Sequence, residues 1–171
     1  MTLSLSAEFE NFVPRPRSPL LDSPEGLMMR ETGEAGLRRH IGEIVEGIKA
    51  KDPDRLRRLY SDDVVSFDID PPLQHVGIDA KLKNWARVFV FFEDVRYEIR
   101  DLRLTVGESV AFGHCFGRLS GTTKDGTAVG GMWVRGTFGF RKIDGRWLIT
   151  HDQVSVPLDI AGGKGMTDLE P

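Results

Sequence analysis

The chain has 171 residues, 40% apolar and 29% charged, which suits one soluble globular domain. A net charge of −3 gives no reason to expect nucleic acid as a partner, and one cysteine, Cys115, excludes an internal disulfide. No apolar run reaches the roughly 18 residues that cross a bilayer, and no basic residue precedes an apolar run at the N-terminus. A cytoplasmic protein with no membrane partner is therefore expected.

Residues 1–34 read as a flexible N-terminal extension, because "VPRPRSPLLDSPEG" is dense in proline and "ETGEAG" adds two glycines. Alternatively, Phe9, Phe12, Leu20 and Leu21 could dock this arm on a partner subunit. From residue 35, Leu37, Ile41, Ile44, Val45 and Ile48 make one helical apolar stripe. In "KDPDRLRRLY", Asp52 is placed as N-cap and Pro53 at the first position of a short second helix that turns Leu56, Leu59 and Tyr60 inward. "DVVSFDI" is β-branched and alternating enough for a strand, and "PPLQHVG" is a loop. Ile78, Leu82, Trp85, Phe89 and Phe92 then recur at helical spacing with a heavy aromatic face.

Everything after residue 93 reads as β. Four long segments, "VRYEIRDLRLTV", "SVAFGHCFGRLSGTT", "TAVGGMWVRGTFGFRKI" and "RWLITHDQVSVP", are separated by the turn signals "GE", "KDG" and "IDG". Such a meander must twist and curl, and Gly130–Gly131 reads as a bulge that bends it. Residues 159–171 return to loop, and their "GGKG" lacks the spacing of a phosphate loop. The expected fold is α+β, with one curled antiparallel sheet wrapped around three N-terminal helices and a cone-shaped cavity between them.

With that order of elements, "KDPDRLRRLYSDDVVSFDIDPP", "VGIDAKLKNW" and "FRKIDGRWLITHDQVSVP" resemble the nuclear transport factor 2-like superfamily, in its SnoaL-like and ketosteroid-isomerase-like branches. The last stretch is also similar to the calcium/calmodulin-dependent kinase II association domain. The resemblance covers residues 35–158 and implies a cystatin-like cone. It leaves activity open, since this fold hosts isomerases, cyclases, dehydratases, binding modules and oligomerisation domains. In ketosteroid isomerases a catalytic Asp lies eight positions after the Tyr of a "Y-A-D-D" segment, which falls here on Asp68. The same register puts that family's helix-1 tyrosine, an oxyanion donor, on Ile44, where it is absent.

Asp68 and Asp70 share a strand face with Ser66. A carboxylate at the mouth of an apolar cavity makes a general base, whereas a solvated strand end before Pro71 needs nothing more than turn chemistry. Asp68 is the candidate base, and Asp70 is assigned to the turn or to ligand contact. Phe112, His114, Phe116 and Arg118 share one face of their strand. His114 and Arg118 would stabilise an oxyanion if that face lines the pocket, or pair across a dimer if it is the outer face. Trp85, Phe89, Trp133, Arg135 and His151 are candidate ligand contacts, with a hydrogen-bonded structural role the simpler reading of His151 and core packing that of Trp85, Phe89 and Cys115. His75, His114, His151 and the two Asp lack the local spacing of metal ligands, so neither metal nor cofactor is expected. These residues describe a protein that binds a small hydrophobic or aromatic molecule and assembles as a homodimer through its outer sheet face. Asp68 would take a proton next to a carbonyl in isomerase, cyclase or dehydratase chemistry. Binding without catalysis, or oligomerisation alone, are the alternatives.

Overall fold

The structure, a computed structural model, describes residues 24–171. Helix α1 (Pro24–Lys49) opens on a proline and begins within the segment expected to be a flexible extension, so residues 24–34 are helical. The docking residues Phe9, Phe12, Leu20 and Leu21 lie outside the described residues. Leu37, Ile41, Ile44 and Ile48 are buried along one stripe of α1. Helix α2 (Pro53–Arg57) carries the expected cap, with the Asp52 side chain accepting from the Arg55 N–H at 2.8 Å. Strand β1 (Tyr60–Phe67) follows, then a two-residue strand β2 (His75–Val76) inside the segment read as loop, then helix α3 (Ile78–Phe91).

The sheet is completed by β3 (Phe92–Val106), β4 (Val110–Thr123), β5 (Ala128–Val129), β6 (Trp133–Ile143) and β7 (Arg146–Ser155). Its order is β2-β1-β7-β6-β4-β3, with β5 paired to β4. Among the described residues, β1 and β7 run parallel and the other pairs of this sheet are antiparallel. This is the mixed α+β fold with a curled sheet, in which β3, β4, β6 and β7 form the meander. The segment expected to be one strand across Gly130–Gly131 is instead two, β5 and β6, which both pair with β4. Gly131 separates them at φ 74°, and a Cβ there would land on the Leu119 carbonyl. The residues after β7 also hold a small hairpin, β8 (Leu158–Asp159) with β9 (Lys164–Gly165).

One face of the sheet packs on the helices. Ala111 and Cys115 of β4, Phe138 and Phe140 of β6 and Ile149 of β7 join the α1 stripe in a single core. Alternation puts Phe112, His114, Phe116 and Arg118 on the opposite, outer face. At the core's edge the His40 ring N–H donates to the Leu59 carbonyl at 2.8 Å and meets Phe140 edge-on. Burial, more than the nearby Arg146, holds the His40 imidazole below its ordinary 6.5, against the Leu59 bond, which raises it.

Two outcomes follow. Gly131→Ala should cost about 1–3 kcal/mol, because the substituted residue must hold a left-handed conformation against a carbonyl; a lower urea midpoint would record it. The folded chain binds fewer protons at His40 than the unfolded chain does. Its stability should therefore be full above pH 6.5 and decline as pH falls through the lowered value. His40→Gln should flatten that decline in denaturation curves measured between pH 7.5 and 5.

Candidate functional site

The apolar stripe of α3 has one charged member. Lys81 falls between Ile78 and Trp85, and its side chain is only 4% exposed. A lysine buried so deeply needs partners for its charge. Its ammonium donates to the Ser66 hydroxyl at 2.8 Å, pairs with Asp152 at 2.9 Å, and stands 3.9 Å from Asp68 Oδ2. The rings of Tyr60 and Trp85 flank it at 6.0 and 5.9 Å. The Tyr60 hydroxyl donates to the same Asp152 oxygen at 3.3 Å.

Asp68 is anchored from two sides. Its Oδ1 accepts from the Ile69 N–H at 2.8 Å, and its Oδ2 accepts from the Asn84 amide at 2.5 Å. Asn84 in turn accepts from Arg87. Lys81, Asn84 and Arg87 are thus a polar ridge of α3, three residues apart, that ties the Asp68 loop to the helix.

Burial first, and then the Asp152 carboxylate, push the Tyr60 phenol well above its ordinary value. Tyr97 is raised by burial, then by Cys115, Asp152 and Asp68. Both phenols are therefore protonated donors at neutral pH. Burial also lifts the Cys115 thiol to about 11, which leaves it inert packing. Gly117 makes room for Tyr97, since any side chain there would overlap the phenol. Three buried polar atoms of this region, Asp152 Oδ1, His75 Nε2 and Trp85 Nε1, have no protein partner.

The network opens to solvent at Asp68. A cleft of about 540 Å³ is walled by Phe67, Asp68, Ile69, Leu73, Val154 and Val156, with Gln74, Gln153 and Ser155. A smaller cleft of about 250 Å³ lies against Asp70, Asn84 and Phe91. Asp68 therefore links an apolar cleft to a buried cation.

The structure brings Asp68 and Trp85 to this region, with Phe89 stacked on Trp85 at 5.9 Å. Asp70 is exposed, in the second cleft. His114 and Arg118 are not brought to Asp68. Both lie on the outer face, where His114 is exposed and Arg118 pairs with Glu98 at 2.7 Å, because the small residues Gly113, Cys115 and Gly117 take the inner positions. Trp133 and Arg135 share that outer face. His151 also leaves the inner set: its ring N–H donates to the Val65 carbonyl at 2.7 Å and it packs edge-on against Phe67. Among the described residues no three His, Cys, Asp or Glu side chains converge on a common point.

Sequence reasoning missed Lys81, Asp152, Tyr60 and Ser66 as a group. A lysine one place before Leu82 in an apolar stripe was a visible signal. Asp152 carried none, because the register slips between Gly139 and Phe140: Gly139 pairs with His151 but Phe140 with Ile149. The extra residue, Thr150, turns Asp152 to the same inner face as Ile149.

Lys81→Met leaves Asp152 buried without its cation and should cost about 3–5 kcal/mol. Lys81→Met combined with Asp152→Leu should recover much of that loss. Urea unfolding of the three proteins gives the comparison, and equal losses in the single and double variants would show that the pair is not the source.

The fold has many counterparts among solved structures. An NTF2-like protein of unknown function from Pseudomonas putida KT2440 is 25% identical, with 82% of this chain and 98% of that one aligned at a TM-score of 0.74. A Novosphingobium aromaticivorans protein carrying the provisional name scytalone dehydratase is 16% identical, over 73% of this chain and 84% of its own, at 0.66. An NTF2-like protein with a cystatin-like fold from the same species is 14% identical, over 84% and 96%, at 0.67. No curated protein matches the sequence. The profile of the SnoaL-like domain matches residues 38–159, and the chain belongs to that family within the NTF2-like superfamily.

Proposed function

We propose that the chain takes a small hydrophobic or aromatic carbonyl compound into the cleft beside Phe67 and Leu73, and that Asp68 moves a proton on it. The observation that carries this reading is the double position of Asp68, in the wall of an apolar cleft and 3.9 Å from a buried ammonium. A ligand that fills the cleft excludes water from Asp68 and strengthens its electrostatic contacts. The carboxylate removes a proton from the carbon next to the carbonyl, and the C–H electron pair moves into the enolate. The Lys81 charge opposes the negative charge that develops. Returned to another carbon, the proton completes an isomerisation; given to a departing β-hydroxyl, it completes a dehydration. The dehydratase name borne by one structural neighbour is compatible with the second course. His114 and Arg118, first considered for the anion-stabilising role, are on the wrong face for it, and Lys81 takes their place.

A binding role without chemistry is favoured by one observation. The Lys81 ammonium is already engaged by Ser66 and Asp152 before any ligand enters. The two readings separate in deuterium oxide. With a panel of cyclic enones and aryl ketones, the wild type should catalyse deuterium uptake at the carbon next to the carbonyl. Asp68→Asn should lower that rate by about 10²–10⁴-fold while circular dichroism stays unchanged. A ketone that binds without exchange in the wild type would leave the binding role. Exchange that survives in Asp68→Asn would remove Asp68 as the base.

A further inference from the structure

Asp68 is the base in the proposed reaction, yet the buried cation beside it is bonded elsewhere. Two of the three Lys81 ammonium hydrogens are committed, one to Ser66 at 2.8 Å and one to Asp152 at 2.9 Å. Asp68 Oδ2, at 3.9 Å, lies outside hydrogen-bonding reach. The choice between the carboxylates follows burial. The Asp152 side chain is 7% exposed and that of Asp68 19%, so the pair with Asp152 is the less screened. Had the ammonium closed on Asp68 instead, that carboxylate would be held in an ion pair and would be a weaker base.

Asp152 depends on this cation in turn. Ser66 and Asp152 are partners across β1 and β7, and His75 continues the row on β2. The Tyr60 hydroxyl and the Lys81 ammonium converge on Asp152 Oδ2, while Oδ1 is buried without a partner. Tyr60 therefore competes with Lys81 for one oxygen. Among the described residues, Lys81 is the one cation within 4.0 Å of Asp152, and Asp68 is the one other carboxylate within that distance of Lys81. The remaining polar groups toward Asp68 are Asn84, which bonds its Oδ2 and accepts from Arg87, and the Tyr97 phenol of β3. Burial keeps that phenol protonated, as it does Tyr60.

We propose that Asp152 is a positioning residue for the reaction: it holds the Lys81 ammonium back from Asp68 and so keeps that carboxylate free to take a proton. This role rests on the reading of Asp68 as the base. A neutral side chain in place of Asp152 leaves Lys81 one carboxylate to face, and the buried ammonium closes on Asp68. Removing the Tyr60 hydroxyl acts the other way, since Asp152 Oδ2 is then free to hold Lys81 alone.

The test is an NMR titration of the Asp68 carboxyl carbon in isotope-labelled full-length protein, with the signal assigned by its loss in Asp68→Asn. Read at that carbon, the curve is separate from the ionisation of His75. Asp152→Asn should move the midpoint to lower pH, and Tyr60→Phe should move it to higher pH. A loosened fold does not produce shifts of opposite sign, and Tyr60→Phe decides the matter if Asp152→Asn fails to fold. The base works in its ionised form, so the rate rises with pH through the midpoint. Deuterium uptake by the aryl ketones should therefore level off at lower pH, and at a lower rate, in Asp152→Asn. In Tyr60→Phe it should level off at higher pH. A midpoint that stays or rises in folded Asp152→Asn would overturn the proposal, as would one that stays or falls in Tyr60→Phe. A wild type that takes up no deuterium, with both midpoints moving as stated, would remove the base chemistry and keep Asp152 as the group that places Lys81.

Discussion

The constraint on which the interior depends is the Lys81 ammonium, sealed among aromatic rings with two carboxylates. An unpaired ammonium cannot persist in such surroundings, so β1 and β7 must each deliver a polar side chain to the same point. Ser66 and Asp152 are direct partners across the parallel β1–β7 pair, and that register is what brings both to Lys81. Asp68, just beyond the end of β1, extends the same face toward solvent. The charge thus ties α3, β1 and β7 together more specifically than apolar contact would, because a slip of one residue would remove its partners.

What could be read from the sequence was whatever is written locally. The Asp52–Pro53 cap, the α1 stripe and the Asp144–Gly145 turn all depend on residues within one turn of one another, and all stand in the structure. Asp68, singled out through the family resemblance that counts eight positions on from Tyr60, stands in the wall of the larger cleft. The faces of the strands were not legible in the same way. Period-2 alternation treats Ile149 and Asp152 as opposites, and one inserted residue, Thr150, makes them neighbours. Nothing in "WLITHDQVS" announces that insertion; it is set by how β7 must follow both β6 and β1.

The choice between the two faces of β4 was decided by size rather than polarity. His114 and Arg118 have the chemistry of a pocket, but the residues between them are Gly113, Cys115 and Gly117, and only small side chains fit where Leu104 and Tyr97 press against the strand. The bulky, charged residues were therefore sent outward. A polar and aromatic strand face is equally compatible with a pocket and with a surface, and the volume of its neighbours is the better guide.

The two faces of the sheet divide its charge. Inside, Lys81 is set against two aspartates. Outside, Arg100, Arg103, Arg118 and Arg135 stand in neighbouring rows with Glu98. β4 joins the two only through its backbone, since alternate residues serve each face. The side chains around Lys81 therefore do not meet those around Trp133. Any influence of one on the other would have to pass through a shift of the strand itself, and β4 is held on both sides by continuous antiparallel pairing. The sheet accordingly acts as a partition between the buried cation and the charged outer face.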